Sequence, residues 1–345
     1  MSEVLVDTTA TCAGQPAIVV QSGAWRIVVL PTLGGKIWEL EYRPKAFQFL
    51  WHNPKLAPRA VAFGAGYDDA WSGGWDDVFP TDAPYVHGRE QLPDHGEFWS
   101  VKWQYEVVRE ANDVVLHLWS VGPVTRARFD KWIRIPAEDA TLQMRYRIVN
   151  PAASLPFLFK LHPALRITDR SRIILPRCRF TPDSEFSTWF PSMAQPLRWP
   201  YARKADGSSV DLRKVETREP GVTLFGYADE LEHGYCGLIH PEQEIAFGLA
   251  FPREVLPYCW MFASYGGFQG HNVLVLEPCT ANYWRLEECV KNGSARTLGT
   301  GEAFETVVSI VAVEMDREDE LARVLQSVSA GDFSTFFPGK NGGPS

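Results

Sequence analysis

The sequence predicts an all-β protein of antiparallel sheets closed by one short C-terminal helix, and two observations predict it. Apolar residues alternate with period two along most of the chain, the pattern of strands with one buried face. Glycine and proline clusters punctuate those runs, as turns and long loops between strands require. The first run is Val101, Trp103, Tyr105, Val107 and the second is Leu142, Met144, Tyr146, Ile148. The third is Ile245, Phe247, Leu249, Phe251, and the fourth is Phe304, Thr306, Val308, Ile310. Gln143, Arg145 and Arg147 fill the alternate positions of the second run. A wet or lined face of this kind is the habit of antiparallel sheets, whereas parallel strands are apolar on both sides. The Gly/Pro clusters fall at residues 31–35, 64–74, 151–156 and 266–270, and such loops are where chemistry sits. Near the end, Asp316 is placed to cap a helix with Leu321, Val324, Leu325 and Val328 on one face and Gly331 just past it, packed against a sheet edge.

A chain of 345 residues with 45% hydrophobic content can bury a large core, and no linker divides it, so one domain over residues 1–345 is expected. Its core would run over about residues 15–330, with a frayed tail at 338–345. Residues 181–220 are polar, proline-rich and weakly patterned, an excursion between strands. The formal net charge is −8, from 34 Lys+Arg against 42 Asp+Glu, so no basic field attracts nucleic acid. Residues 1–13 have neither a basic start nor an apolar run, and no segment is long and apolar enough to span a bilayer. A cytoplasmic protein without membrane contact is expected.

Cys12, Cys178, Cys236, Cys259, Cys279 and Cys289 form no tight framework, which suits reduced thiols. His233, Cys236 and His240 have metal-like spacing but lack an evident fourth ligand and sit on an alternating run that reads as a strand. No metal and no cofactor are expected. Asn292-Gly293-Ser294 reads as a turn. Tryptophan is abundant, with 13 in the chain, and Trp71, Trp75, Trp99 and Trp260 stand close to Gly, Asp or His. Flat aromatic faces pack on the C–H faces of sugars while Asp, Glu and His bond ring hydroxyls, so the group leans toward a small carbohydrate as ligand.

Three distant segments then supply chemistry: Leu92-Pro93-Asp94-His95-Gly96-Glu97, Lys160-Leu161-His162-Pro163 and Leu276-Glu277-Pro278. The two histidines and the Glu277 carboxylate are the minimum set for taking a proton from one sugar oxygen and giving one to another. Interconverting the anomers of an aldose requires removal of the C1 hydroxyl proton and protonation of the ring oxygen. A carboxylate ionised near neutral pH is a suitable base, and a histidine held protonated by a carboxylate or polar shell is a suitable acid. Glu277 ends an apolar run, where a charge is costly unless it faces a lined cavity.

With Leu33-Gly34-Gly35, a Gly-Gly-Trp-Asp-Asp-Val-Phe-Pro stretch at 73–80, and the three segments above in this order, the chain resembles the aldose 1-epimerase (galactose mutarotase-like) superfamily over roughly residues 15–315. The resemblance implies an antiparallel supersandwich with an open cleft on one concave sheet. It implies Glu277 as general base, His162 as general acid at the ring oxygen, and His95 as a second histidine near that oxygen. Trp75, Asp76, Asp77, Trp99 and Trp260 join His95 as candidates for substrate contact. The chain departs from typical galactose mutarotases, which have a further glycine after the first histidine and Asn-His-Ser/Pro-Tyr-Phe around the second. Here His95 is followed by Gly96-Glu97-Phe98-Trp99, and His162 stands in Leu161-His162-Pro163-Ala164-Leu165. The 73–80 stretch resembles divergent branches of the superfamily more than the galactose enzymes, so the sequence does not fix the sugar.

The leading expectation is therefore a cofactor-independent aldose 1-epimerase in which Glu277→Ala or His162→Ala abolishes exchange while the fold survives. A hexose-6-phosphate 1-epimerase is the sibling, with Arg126, Arg128, Arg166 and Lys160 as candidates for the phosphate. A non-catalytic carbohydrate-binding protein on the same architecture is the alternative from another class. A lyase or glycosidase ranks lowest, because a glycosidase needs two carboxylates and only Glu277 stands out.

Overall fold

The computed structural model describes residues 3–190, 195–215, 221–315 and 317–328. Two antiparallel sheets face each other. The larger has 12 strands, and its central run is Lys36–Tyr42, Trp75–Val78, Lys160–Leu165, Asn272–Cys279, Tyr258–Tyr265 and Val222–Asp229. The other has eight, ordered Gln104–Glu110, Asp113–Val121, Arg128–Ile135, Thr141–Val149, Ala303–Val313, Ile245–Ala250, Tyr235–His240 and Arg172–Ile174. One continuous apolar core fills the space between them, drawn from both sheets.

The second predicted run is the clearest case of sequence dictating strand. Leu142, Met144, Tyr146 and Ile148 point into the core, and Gln143, Arg145 and Arg147 line the outer face. The third run is buried on both faces: Ile245, Phe247 and Leu249 enter the core, while Ala246 and Ala250 pack beneath the helix Glu318–Val328. That helix buries Leu321 and Leu325. It lies on the outer face of the eight-stranded sheet and not against its edge, because Gly248 has no side chain; a Cβ there would stand 2.5 Å from Leu325. Asp316, Gly331 and the tail at 338–345 lie outside the described residues. The first run is corrected too. The strand is Gln104–Glu110, so Val101 and Trp103 precede it; Trp103 plugs the core while Tyr105, on an edge strand, is exposed.

Two further helices, Tyr67–Ala70 and Leu286–Asn292, carry no strong periodicity and were not expected; Asn292-Gly293 is the capped end of the second. Among the described residues of the 181–220 stretch, Tyr201–Arg203 and Ser209–Asp211 form a small hairpin. All six cysteines carry free thiols. No helix among the described residues is long and apolar enough to cross a membrane.

The strand Trp75–Val78 decides what reaches the outer face of the large sheet. Successive side chains alternate, so Trp75 and Asp77 point inward while Asp76 and Val78 point outward. Trp75 is fully buried in the core. Asp77 accepts hydrogen bonds from Lys131 Nζ at 2.7 Å and Tyr146 Oη at 3.0 Å, both on the opposing sheet. Neither can touch a ligand on the outer face, which removes both from the predicted substrate contacts.

Candidate active site

The central strands of the large sheet bring the distant segments together. Lys160 lies opposite Cys279 and Ala164 opposite Val275, a register that sets His162 across from Glu277. On the other side His162 is paired with Asp76. Period two places Lys160 on the same face as His162. His95 comes from a loop above the sheet, in left-handed backbone with φ 57°. Gly96 follows at φ 73° and packs so closely that a Cβ would lie 2.1 Å from the Phe79 carbonyl oxygen. The His95 amide donates to the Asp82 carbonyl at 2.6 Å. Buried Glu97 anchors the loop from below, accepting the Val124 amide at 2.7 Å and the Thr125 hydroxyl.

A cleft of about 180 Å³ opens here, and Glu277, Lys160, His162 and His95 all line it, with Asp68, Asp82 and Asp94. Lys160 Nζ is shared between the carboxylates of Glu277 and Asp82, the latter at 2.7 Å, and stands 4.6 Å above the Trp260 ring. Burial alone would favour a neutral amine, but Asp82 and Glu277 outweigh it and hold Lys160 as an ammonium. Burial raises the Glu277 carboxyl above its ordinary value, and Lys160 offsets part of that rise. Lys160 takes Oε2 of Glu277, which lines the cleft.

The surroundings push the two histidines in opposite directions. His95 stacks on the Tyr67 ring with centroids 3.8 Å apart and planes within 7°. Its Nδ1 is 2.9 Å from Asp94 Oδ1, and its Nε2 is 3.7 Å from Asp82 Oδ1. Burial works against its charge, but Asp82 and Asp94 prevail and raise the imidazole above its usual value. His162 has no such partner. Burial first, then the neighbouring charges of Lys160, His95 and Lys36, push it well below the usual imidazole range. The expectation of a His162 kept protonated by a carboxylate is thus not met. Asp76 is linked to it through Tyr67, whose hydroxyl donates to Asp76 at 2.8 Å and lies 3.2 Å from His162 Nδ1. With that hydroxyl proton spent on Asp76, the contact requires hydrogen on Nδ1, leaving Nε2 as an acceptor.

Asp76 itself is buried, held by Lys36 at 2.5 Å, and braces Tyr67 without lining the cleft. Trp99 meets the Tyr67 ring edge at 5.1 Å and donates Nε1 to the Asp94 carbonyl at 3.0 Å. Trp260 donates to the Ala281 carbonyl at 2.7 Å beneath Lys160. Both tryptophans therefore support cleft residues and do not line the cleft themselves. The aromatic lining comes instead from Trp71, Phe186, Phe225, Phe262, Phe268 and Trp284. Of the polar residues, Lys160 was considered in sequence only for a phosphate and lies two before His162, and Asp94, which was passed over, adjoins His95, signals that were available. Tyr67 and Asp68 lie in the glycine-punctuated 64–74 stretch, which marked a loop but no particular residue, and Asp82 had no signal.

No family model and no curated protein matches the chain. Solved structures do. A candidate aldose 1-epimerase from Klebsiella pneumoniae superposes with a TM-score of 0.70 at 13% identity, over 95% of this chain and 88% of that one. A galactose mutarotase-like protein from Clostridium acetobutylicum gives 0.66 at 13% identity, over 91% and 99%. Another from Lactobacillus casei gives 0.56 at 14% identity, over 86% and 100%. At such identities the likeness is one of fold, and the fold of this chain is that of the galactose mutarotase-like proteins, in a divergent form.

Proposed function

We propose that the protein is an aldose 1-epimerase that opens and recloses the sugar ring by paired proton transfer. The observation that carries this reading is a buried carboxylate and a carboxylate-supported imidazole in one cleft, joined through Lys160 and Asp82. Glu277 takes the proton of the C1 hydroxyl while the His95 imidazolium gives its Nε2 proton to the ring oxygen. The C1–O5 bond breaks, C1 becomes an aldehyde, and rotation about C1–C2 presents its other face. Reclosure returns both protons, so the enzyme ends as it began. The donor role that the family resemblance gives to His162 passes to His95 in this proposal, because a donor must carry the proton near neutral pH. Neutral His162 accepts a hydrogen bond from a sugar hydroxyl through Nε2.

The test is proton NMR exchange between anomers on a panel of aldoses, at a pH where spontaneous exchange is slow. Acceleration supports the proposal, and none with folded protein rejects it. The pH profile separates the histidines. Activity needs Glu277 deprotonated, so it rises with pH through a Glu277 value above the ordinary 4.5. It needs His95 protonated, so it falls as pH rises through a His95 value above 6.5. We expect a bell whose alkaline limb lies above pH 6.5; a limb well below it would return the donor role to His162.

A further inference from the structure

The cleft is divided by chemistry along its length. Over the strands of Lys160 and Glu277 it is polar. Two strands further along the sheet, Phe225 is reached through Phe262, and the register pairs them directly. At about 4.8 Å per strand this places the Phe225 backbone roughly 10 Å across the sheet from that of Val275, the neighbour of Glu277 two residues back. Phe186 meets Phe225 and Trp284, and Phe268 meets Phe262, so that end is lined by aromatic rings, and the Trp284 indole nitrogen among them is itself buried. A sugar hydroxyl directed at these rings gives up water without gaining a partner, whereas a methyl or methylene gains burial.

Charge points the same way. Four carboxylates face the cleft, Asp68, Asp82, Asp94 and Glu277, against the cations Lys160 and His95. Lys160 is already shared by two of them, and His95 lies between Asp94 and Asp82. At the rim Arg285 stacks on Trp284 at 4.0 Å, but Glu185 holds it with two hydrogen bonds of 2.7 and 2.8 Å. The other residues considered for a phosphate are elsewhere. Arg128 is paired with Asp130 on the opposite sheet, Arg166 lies over Phe47, and Arg126 occupies a turn of the opposite sheet. A phosphate, sulfonate or carboxylate on the substrate would meet a net negative surface with its cations engaged.

We infer that the substrate is an uncharged aldose with a deoxygenated carbon facing the aromatic end of the cleft, and not a phosphorylated or acidic sugar. This rests on the epimerase reading and narrows its substrate. The experiment compares kcat/KM for anomer exchange across glucose, its 2-deoxy and 6-deoxy counterparts, glucose 6-phosphate, glucuronate and 6-amino-6-deoxyglucose. Expected is at least one deoxysugar about 10-fold above glucose, with the two anionic sugars about 100-fold or more below it. Phe225→Asn, which puts an amide into the apolar end, should erase the deoxysugar preference. Exchange of the phosphate or uronate at the rate of glucose, both deoxysugars slower than glucose, or the aminosugar fastest of all would overturn the inference and leave the epimerase reading standing. No exchange with any sugar, on protein shown folded by circular dichroism, would remove that reading and the inference with it.

Discussion

Glu277→Gln is expected to slow anomer exchange by about 10²- to 10⁴-fold, the usual worth of a positioned general base. The amide keeps the shape of the carboxylate and can still accept from Lys160, but it cannot take a proton. Because Asp82 continues to pair Lys160 at 2.7 Å, the ammonium is not stranded and the fold should persist. The measurement is NMR exchange on the best sugar, beside a thermal melt. Exchange within a factor of two of the parent would reject Glu277 as base. Lys160→Met makes a useful contrast. It leaves the Glu277 and Asp82 carboxylates facing one another without their shared cation, so the Glu277 carboxyl should move further up, and activity near neutral pH should fall with its acid limb displaced to higher pH.

The sheets were legible wherever one strand face met the core and the other met water. Thr141–Val149 reads correctly residue by residue for that reason. The strand Trp75–Val78 did not, since all four of its residues are buried and no amphipathic pattern says which way each points. Asp76 and Asp77 look equivalent in sequence, yet one braces Tyr67 on the site face and the other pairs with Lys131 in the core. Glu277 and His162 were legible as segments because each charged or polar group ends or interrupts an apolar run. Their protonation was not, since it depends on neighbours brought in by folding. Asp94 sits beside His95 in the chain, but Asp82 and the Phe225 end of the cleft come from segments with no local signature, and Tyr67 from a loop whose glycines mark no particular residue. The tryptophans were a true compositional signal placed one layer too close: Trp99 and Trp260 hold Tyr67, Asp94 and Lys160, which in turn line the cleft.

Lys131→Met should cost about 3–5 kcal/mol of stability, because it breaks a buried ion pair by removing one partner. Both side chains are nearly inaccessible, at 1% and 2% exposed, and Lys131 also donates to the Gly35 carbonyl at 2.9 Å. Methionine fills much the same space, so the loss comes mainly from stranding the Asp77 carboxylate with only the Tyr146 hydroxyl to donate to it. If so, adding Asp77→Leu should recover most of the stability, since replacing both members of such a pair with apolar groups is often neutral or favourable. Urea unfolding of the two single variants and the double variant measures this as a cycle. Activity then asks a second question. Asp77 sits in register with Leu161, immediately before His162, so the ion pair fixes which way the Asp76 side chain points in the adjacent position. A double variant that is stable but slow in exchange would show that the pair is kept to orient Tyr67 and His162 through Asp76. A double variant as unstable as Lys131→Met alone would place the cost in packing around Lys131 and not in the stranded charge.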